Sequence, residues 1–286
     1  MKMTEIFERD RPALSFEVFP PKTSSGYETI KDATEKIASL NPSYMSVTYG
    51  AGGGTSEYTV SIAANLQKRY KVPVLAHLTC VNSTKQSIKD RLGELKEAGI
   101  ENVLALRGDN FEESAKASSY KHASELVEEV SKFGGFCIGG ACYPEGHTES
   151  ACRSEDIKNL KIKVDAGCEF LTTQMFFDNN ILYNFLYKVR DAGIKVPVVA
   201  GIMPVTNAKQ IKKITELSQT SLPSRFLHIV DKFGHNPAAM RQAGVAYATE
   251  QIIDLFANGV DAVHVYSMNN PQVAKAIQDN LSEIIA

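Results

Sequence analysis

The feature that most constrains the fold of this chain is an eightfold alternation of apolar strand segments and amphipathic helical segments. Each unit takes about 35 residues, a length typical of a strand followed by a covering helix. Most of the strand segments are near-continuous apolar runs, as expected for parallel strands that are covered on both faces. The predicted strands are 13–19, 44–50, 73–80, 102–108, 136–143, 170–176, 196–203 and 262–267.

Amphipathic helices are predicted between these strands. Several of them end at a glycine, and Thr84 is a plausible N-cap, which are ordinary helix boundary signals. A further helix opens at Thr55, and a short and a long helix precede the last strand. The other predicted helices are 26–40, 84–98, 120–133, 154–166, 179–192, 207–219 and 271–285.

This alternation predicts an α/β fold of the (β/α)8 TIM barrel class, with extra helices between strands 7 and 8. No low-complexity linker divides the chain, so residues 1–286 are predicted to form a single catalytic domain. The alternative is a doubly wound open sheet. Such a sheet normally carries G-x-G-x-x-G directly after its first strand, where this chain has "FPPKTSSG".

Composition narrows the function classes. The net charge is −2 and there is no long Lys/Arg run, which argues against nucleic acid as a partner. No stretch of 18 apolar residues predicts a membrane span, and the charged start is not a signal peptide. The five cysteines form no C-x-x-C pair, and the six histidines show no metal spacing. We therefore predict a cytoplasmic protein with reduced thiols and no structural metal.

Polar residues follow the predicted strands at their carboxyl ends, where barrel enzymes place their active sites. Each has a structural reading alone, such as a core histidine or a glutamine that satisfies a loop. Their origin from seven strands favours a functional rim, because buried charges are costly unless paired. They are Glu17, Thr48, Tyr49, His77, Thr79, Arg107, Asp109, Tyr143, Glu145, His147, Gln174, Tyr266 and Asn269.

Two glycine-containing loops leave alternatives open. The stretch "YGAGGGTSEYT" (49–59) could present backbone N–H groups to a phosphate, or could be a tight strand-to-helix turn. In "LRGDN" (106–110), Gly108 permits close approach of the backbone to a ligand. Arg107 and Asp109 could contact that ligand or form a structural salt bridge.

One face of the helix after strand 5 carries Asp156, Asn159 and Lys163 at spacings of three and four residues. These side chains could hold hydroxyls and a phosphate. On the residues alone, a salt-bridged surface is the favoured reading.

The motifs together resemble the bacterial methylenetetrahydrofolate reductases. The resemblance runs from about residue 13 to about residue 270, and the order and spacing of the motifs carry it. The motifs are "SFEVFPPKT", "SVTYGAGG", "AHLTC", "ALRGD", "YPEGH", "NLKIKVDAG", "TQMFFD" and "GIMPV".

The resemblance implies a flavoprotein with non-covalently bound FAD. NADH or NADPH reduces the flavin and leaves; NADH is favoured by analogy. 5,10-Methylenetetrahydrofolate then binds the same face and is reduced to 5-methyltetrahydrofolate, the methyl donor for methionine synthesis. A homo-oligomer, either a tetramer or a dimer, is also implied.

The resemblance assigns roles by position. Glu17 matches the general acid that protonates folate N10, and its apolar neighbours favour a raised pKa. Asp109 matches an aspartate that lowers the flavin potential and stabilises the cationic iminium, and Gln174 matches a folate-binding glutamine. Tyr266 matches a position beside the substrate. The implied FAD-binding residues are Thr48, His77, Leu106, Arg107, Gly108, Asp109, His122, Ala123, Tyr143, His147, Asp156, Asn159 and Lys163.

The chain departs from the family pattern in three places. Ile162 stands where an arginine often helps to hold the pyrophosphate, and Ala208 stands where enteric members have a stacking aromatic. The Gly-rich loop also lacks the usual Arg-Asp-Arg run. The chain ends soon after strand 8, so no regulatory domain that binds S-adenosylmethionine is expected.

Two other functions remain as alternatives. One is a barrel lyase or isomerase acting on a phosphorylated small molecule, which would need a strand-end lysine for Schiff-base chemistry. The other is a non-catalytic flavin-binding scaffold, which would not require Glu17, Asp109 and Gln174 together.

Overall fold

The eight strands form a closed parallel barrel, which confirms the predicted fold class. The structure is a computed structural model, and it describes residues 1–21, 24–49, 56–108, 118–211, 214 and 220–286. Each strand pairs in parallel with the next, and the last strand pairs with the first to close the barrel. The strands are β1 Ala13–Val18, β2 Tyr44–Val47, β3 Val74–Thr79, β4 Asn102–Leu106, β5 Cys137–Cys142, β6 Phe170–Thr173, β7 Val198–Ile202 and β8 Ala262–Tyr266.

Helices cover the outside of the barrel, and two of them, α8 Ser224–Phe233 and α9 Pro237–Ala257, lie between β7 and β8 as predicted. The predicted helix 207–219 falls largely outside the described residues; 209–211 and 214 are helical. The labelled helices are α1 Met3–Phe7, α2 Tyr27–Ala38, α3 Ser56–Tyr70, α4 Lys85–Glu97, α5 Ala123–Phe133, α6 Arg153–Asp165, α7 Asn179–Asp191, α8 Ser224–Phe233, α9 Pro237–Ala257 and α10 Pro271–Asn280.

Side-chain caps fix where several helices begin. The Thr84 hydroxyl accepts a hydrogen bond from the N–H of Ser87 at 3.1 Å and starts α4. Asn236 and Asn270 cap α9 and α10 in the same way, each followed by a proline in the first turn. Such caps satisfy N–H groups that have no partner within the helix. The predicted Thr84 cap is confirmed.

Strand alternation sends successive strand residues either outward, to the shell under the helices, or into the bore. On β1, Phe16 and Val18 point outward and pack in the shell between barrel and helices, whereas Ser15 and Glu17 point into the bore. This alternation brings polar strand residues to the inside of the barrel.

The amino-terminal end of the bore is closed by α1, an element that the sequence analysis did not predict. Met3 and Ile6 are buried against the inward-facing residues of that end. Phe7 makes edge-to-face ring contacts with Tyr44 and Phe170, with ring centroids 6.2 and 5.4 Å apart. The opposite, carboxyl-terminal end therefore carries the openings that a ligand could use.

Several strands are shorter than predicted. β2 ends at Val47 and β6 at Thr173, so Thr48 and Gln174 lie just beyond their strands. The segment that includes Gly50 lies partly outside the described residues. Within the described ranges, none of the helices combines the length and apolar character that a membrane crossing requires.

Candidate active site

Glu17 projects into the bore near the carboxyl end of β1. Its side chain is 20% exposed, and Oε2 lies 3.7 Å from Nε2 of His77 on β3. The backbone around it is tied to the end of β8. Ser267 donates a hydrogen bond to the carbonyl of Glu17 at 2.7 Å, and the Asn269 amide bonds both the N–H and the carbonyl of Phe19 at 2.9 Å. The carboxyl group is therefore held at a fixed place on the rim.

Burial sets the protonation of this pair. It raises the pKa of Glu17 to about 8 and lowers the pKa of His77 to about 4. At neutral pH the pair is therefore a neutral carboxylic acid beside a neutral imidazole, and the 3.7 Å contact is not an ion pair. His77 Nε2 is buried and has no hydrogen-bond partner among the described residues. Glu17 thus carries a proton that it can donate.

Tyr266 and Gln174 complete this group. The Tyr266 hydroxyl donates to the carbonyl of Thr173 at 2.5 Å, and its ring passes over Gly201 of β7. A Cβ at Gly201 would lie 2.5 Å from that hydroxyl, so this glycine makes room for the ring. The Gln174 Oε1 accepts from the N–H of Met175 at 2.9 Å, and within the described part of the chain its amide N–H groups have no partner. We call Glu17, His77, Gln174 and Tyr266 the bore site.

A cavity of about 600 Å³ lies beside the bore, between the ends of β4 and β5, the start of α5 and one face of α6. We call it the cation cavity, because Arg107 and Lys163 lie in its wall. Ten of the sequence-predicted cofactor residues line it: Leu106, Arg107, Gly108, His122, Ala123, Tyr143, His147, Asp156, Asn159 and Lys163.

The other predicted residues lie elsewhere. His77 belongs to the bore site. Thr48 follows β2, where its N–H donates to the Val18 carbonyl at 2.9 Å and its own carbonyl accepts from Thr59 at 3.0 Å. Asp109 lies outside the described residues.

Gly108 and Arg107 form the β4 side of the cation cavity. Gly108 has φ +90°, and a Cβ there would lie 2.6 Å from Cγ1 of Val81, so glycine is required on both counts. Arg107 makes two 2.6 Å hydrogen bonds to Glu149, a residue that sequence reasoning missed. The only sequence signal for Glu149 was its place in the "YPEGHTES" loop.

Lys163 forms the α6 side. Its amine donates to the Ala141 carbonyl at 2.7 Å, and burial lowers its pKa. The lysine stem runs against β5 where Gly140 lacks a side chain; a Cβ there would lie 2.8 Å from Cδ of Lys163. Asp156 is buried close by, and burial raises its pKa. The face of α6 that carries Asp156, Asn159 and Lys163 thus lines a cavity and is not a salt-bridged surface.

The loop after β5 completes the wall. The rings of Tyr143 and His147 meet edge-to-face with centroids 4.6 Å apart. His147 Nδ1 accepts the N–H of Glu149 at 3.1 Å, and burial lowers the pKa of His147. A second cavity of about 210 Å³ lies between α6 and α7 and shares Tyr143 and Asp156 with the first.

The donor set suits a large anionic ligand. A half-buried ammonium and a guanidinium attract phosphates, and Gly108 lets the ligand approach the backbone closely. The unpartnered His77 nitrogen offers a further polar contact at the bore. Among the described residues, no group of three or more His, Cys, Asp and Glu side chains could hold a metal ion.

Comparison with known proteins gives a consistent result. The family model described as methylenetetrahydrofolate reductase matches residues 2–282. "Methylenetetrahydrofolate reductase (NADH) 1" of Zea mays is 36% identical and covers 99% of this chain, which spans 50% of that protein. "5,10-Methylenetetrahydrofolate reductase" is 34% identical both in Pectobacterium carotovorum and in Escherichia coli. In each case 92% of this chain and 88% of the relative are covered.

A solved structure shares the fold with a TM-score of 0.73 at 15% identity, covering 99% of this chain and 100% of its own. It is an uncharacterized protein from Clostridium thermocellum that binds two copies of 5-methyl-5,6,7,8-tetrahydrofolic acid. At that identity the likeness concerns the fold alone. The family model and the bacterial relatives go further, and from them we conclude that this chain belongs to the methylenetetrahydrofolate reductase family.

Proposed function

We propose that this protein reduces 5,10-methylenetetrahydrofolate to 5-methyltetrahydrofolate with FAD and a reduced nicotinamide. The observation that carries the proposal is Glu17, a carboxyl group at the rim of a family member's barrel that lies 3.7 Å from His77 and whose pKa burial raises to about 8. The names of the relatives support the reaction. Because the chain spans half the length of its plant relatives, the activity is assigned from the site as well as from those names.

Glu17 would act as a general acid. Hydride transfer to the folate methylene needs an electrophile, and protonation of N10 opens the five-membered ring to a 5-iminium cation. A carboxyl group with a pKa of about 8 is protonated at neutral pH and can supply that proton. His77 is neutral, so it does not stabilise the Glu17 carboxylate by charge.

The other bore-site residues would position the substrate. The amide N–H groups of Gln174, which have no partner among the described residues, would bond the pterin, while the amide oxygen accepts the Met175 N–H. The Tyr266 hydroxyl is engaged with Thr173, so this residue would offer its ring rather than its hydroxyl. Asp109 remains a predicted electrostatic partner of the iminium and the flavin.

The cation cavity would hold FAD. Arg107 and Lys163 would bind the pyrophosphate. Asp156 and Asn159 would bond the hydroxyls, and Gly108 would let the flavin ring approach the backbone closely. When bound, FAD would carry the hydride from the nicotinamide to the folate. The chain's own residues would hold and orient the ligand.

Anaerobic half-reactions test the proposal. The purified protein with FAD should bleach when NADH or NADPH is added, and 5,10-methylenetetrahydrofolate should restore the flavin spectrum. Glu17→Gln should bleach normally but reoxidise with folate about 100- to 10,000-fold more slowly, because proton donation typically contributes that much.

The matched control is Glu169→Gln, at the start of β6 near the opposite end of the barrel, where the side chain accepts the N–H of Ile138. Both half-reactions should be unchanged in that variant. Equal loss of the two half-reactions in Glu17→Gln would remove the acid assignment, and a protein that binds no FAD would remove the whole proposal.

Three finer assignments belong to the same proposal. The relatives named for NADH favour NADH over NADPH, which titration of both nicotinamides would decide. A homo-oligomer is expected by analogy with the family, and light scattering would give its size. We further propose a cytoplasmic role in supplying methyl groups for methionine synthesis, which complementation of a methionine auxotroph would test.

A further inference from the structure

A second buried histidine, which is not part of the bore site, lies inside the barrel. It is one layer of side chains nearer the amino-terminal end of the bore than the bore site is. His264 of β8 is 1% exposed, and the strand register places it beside Ser15, two residues before Glu17. Ser46 of β2 is the register partner of Glu17. A side chain that joins Ser15 to Ser46 therefore spans the neighbouring strands β8, β1 and β2 on the inside of the barrel, beneath the Glu17 carboxyl.

The hydrogen bonds of His264 have one consistent assignment. Ser15 Oγ lies 3.0 Å from the Val263 carbonyl and 2.7 Å from His264 Nδ1. Its single proton must go to the carbonyl, so Nδ1–H donates to Ser15. Nε2 then accepts from the Ser46 hydroxyl at 2.8 Å. Both ring nitrogens are satisfied while the ring is neutral.

Two tyrosines fix the same ring. Tyr44 stacks on His264 with ring centroids 5.5 Å apart and an interplanar angle of 6°. Tyr266 of the bore site meets His264 edge-on, with centroids 5.7 Å apart and an angle of 82°. The ring therefore has little freedom to turn a nitrogen toward Glu17, and it supports the Tyr266 ring from below.

We propose that His264 is a positioning residue that lies beneath Glu17 as a neutral, fully hydrogen-bonded ring and keeps water and positive charge away from that carboxyl. The inference rests on the proposed role of Glu17 as an acid. The titratable groups that surround Glu17 in the described bore are His77, Tyr44, Tyr266 and His264. None of them is a cation at neutral pH, because burial lowers the pKa of His77 to about 4 and of His264 to about 3 and raises the pKa of both tyrosines.

Removing the support should lower the pKa of Glu17. Ser46→Ala takes the donor from Nε2 and leaves a space in which a water can bond that nitrogen beneath the carboxyl. His264→Ala opens a space that a water can enter, because polar groups remain to bond it. Either change favours the carboxylate, and a nearby opposite charge or solvation commonly moves a carboxyl pKa by about one unit or more.

The test reads the Glu17 pKa from protein stability and requires no folate chemistry. Unfolding is measured against pH for each background with Glu17 and with Glu17→Gln. In the parent, the advantage of glutamine should grow from pH 4.5 and level off near pH 8. In Ser46→Ala and His264→Ala, that plateau should begin about one pH unit lower. If His264→Ala does not fold, Ser46→Ala decides.

Val263→Ala is the matched control, because Val263 is buried on the same strand but packs in the outer shell. Its plateau should stay near pH 8. An unchanged plateau in Ser46→Ala, or an equal shift in Val263→Ala, overturns the proposal. A shifted plateau in a protein that reduces no folate would instead contradict the proposed function while leaving the positioning role intact.

Discussion

The bore site and the cation cavity lie side by side on one rim, but the first contains neutral side chains and the second contains charged ones. The bore site surrounds a carboxyl group with neutral rings, and burial keeps that carboxyl protonated. The cation cavity places Lys163 and Arg107 among carboxylates and carbonyls that compensate part of their charge. One region is suited to keeping a proton and the other to holding an anion. Polar residues at strand ends thus have a chemistry set by their neighbours.

Glu17→Gln should have the largest effect on stability, because it removes a carboxyl group that burial keeps protonated at a pH where the unfolded chain would ionise it. The unfolded state ionises above pH 4.5 while the folded state stays protonated to about pH 8, so stability falls as pH rises through this window. Glutamine should therefore stabilise the protein by up to about 3 kcal/mol at pH 7. Below pH 4.5 the gain should vanish. Denaturant titration at several pH values measures it, and a gain independent of pH would contradict the neutral bore.

Lys163→Met tests the cation cavity with the next largest effect. Removing a half-buried charge that would face the pyrophosphate should weaken FAD binding by about 2 kcal/mol, roughly 30-fold. Flavin fluorescence titration measures the Kd. The control is Lys161→Met, a residue of the same helix that pairs with Asp165 at the surface. Equal losses in the two variants would mean that Lys163 has no special place.

Gly140→Ala sharpens the same point without removing a charge. The added methyl group would press on Cδ of Lys163 at 2.8 Å and on Sγ of Cys168 at 2.9 Å. We expect the amine to shift and FAD binding to weaken by about 1 kcal/mol, roughly fivefold. The control is Gly93→Ala, because an added Cβ at Gly93 would meet no atom within 4 Å; FAD binding should be unchanged in this variant. FAD binding is again measured by fluorescence titration. Unaltered binding in Gly140→Ala would show that the space left by Gly140 does not position Lys163.

Glu149→Gln should have the smallest effect and the opposite sign. Glu149 holds the Arg107 guanidinium that a phosphate would also seek, and Arg107 lowers the pKa of Glu149. Loss of this half-exposed charge should tighten FAD binding by less than about 1 kcal/mol. The gain should shrink as salt rises. Glu128→Gln, on the surface of α5, is the control, and weaker binding in Glu149→Gln would assign the pair a positioning role instead.

The barrel was predictable because its strands and the helices between them have local sequence signals. The predicted ends of β2 and β6 lie beyond the observed ends, because apolar residues continue past the last hydrogen-bonded residue of each strand. The helix α1 was missed because its charged sequence hides three apolar side chains, Met3, Ile6 and Phe7, that only the closed barrel end buries. Local pattern cannot show a burial that depends on the whole barrel.

The site was predictable in membership but not in arrangement. Resemblance named the residues that line the cation cavity, yet the face carrying Lys163 looked like ordinary surface. Its burial depends on Gly140, which lies 23 residues earlier in the chain and on another element. The Arg107–Glu149 pair and the His264 network likewise join residues that are 42 and more than 200 positions apart. Such pairs have no local sequence signal.

The seam between β1 and β8 has a consequence for the timing of folding. The ties between Ser15 and His264 and between Phe19 and Asn269 span almost the whole chain, so contacts of this separation form late and at high entropic cost. Glu17 lies on that seam and gains its proton-retaining surroundings only when the seam is made. At neutral pH Glu17 should therefore take up a proton as the barrel closes. The difference in proton uptake between the parent and Glu17→Gln, followed with a pH indicator dye, would report closure itself.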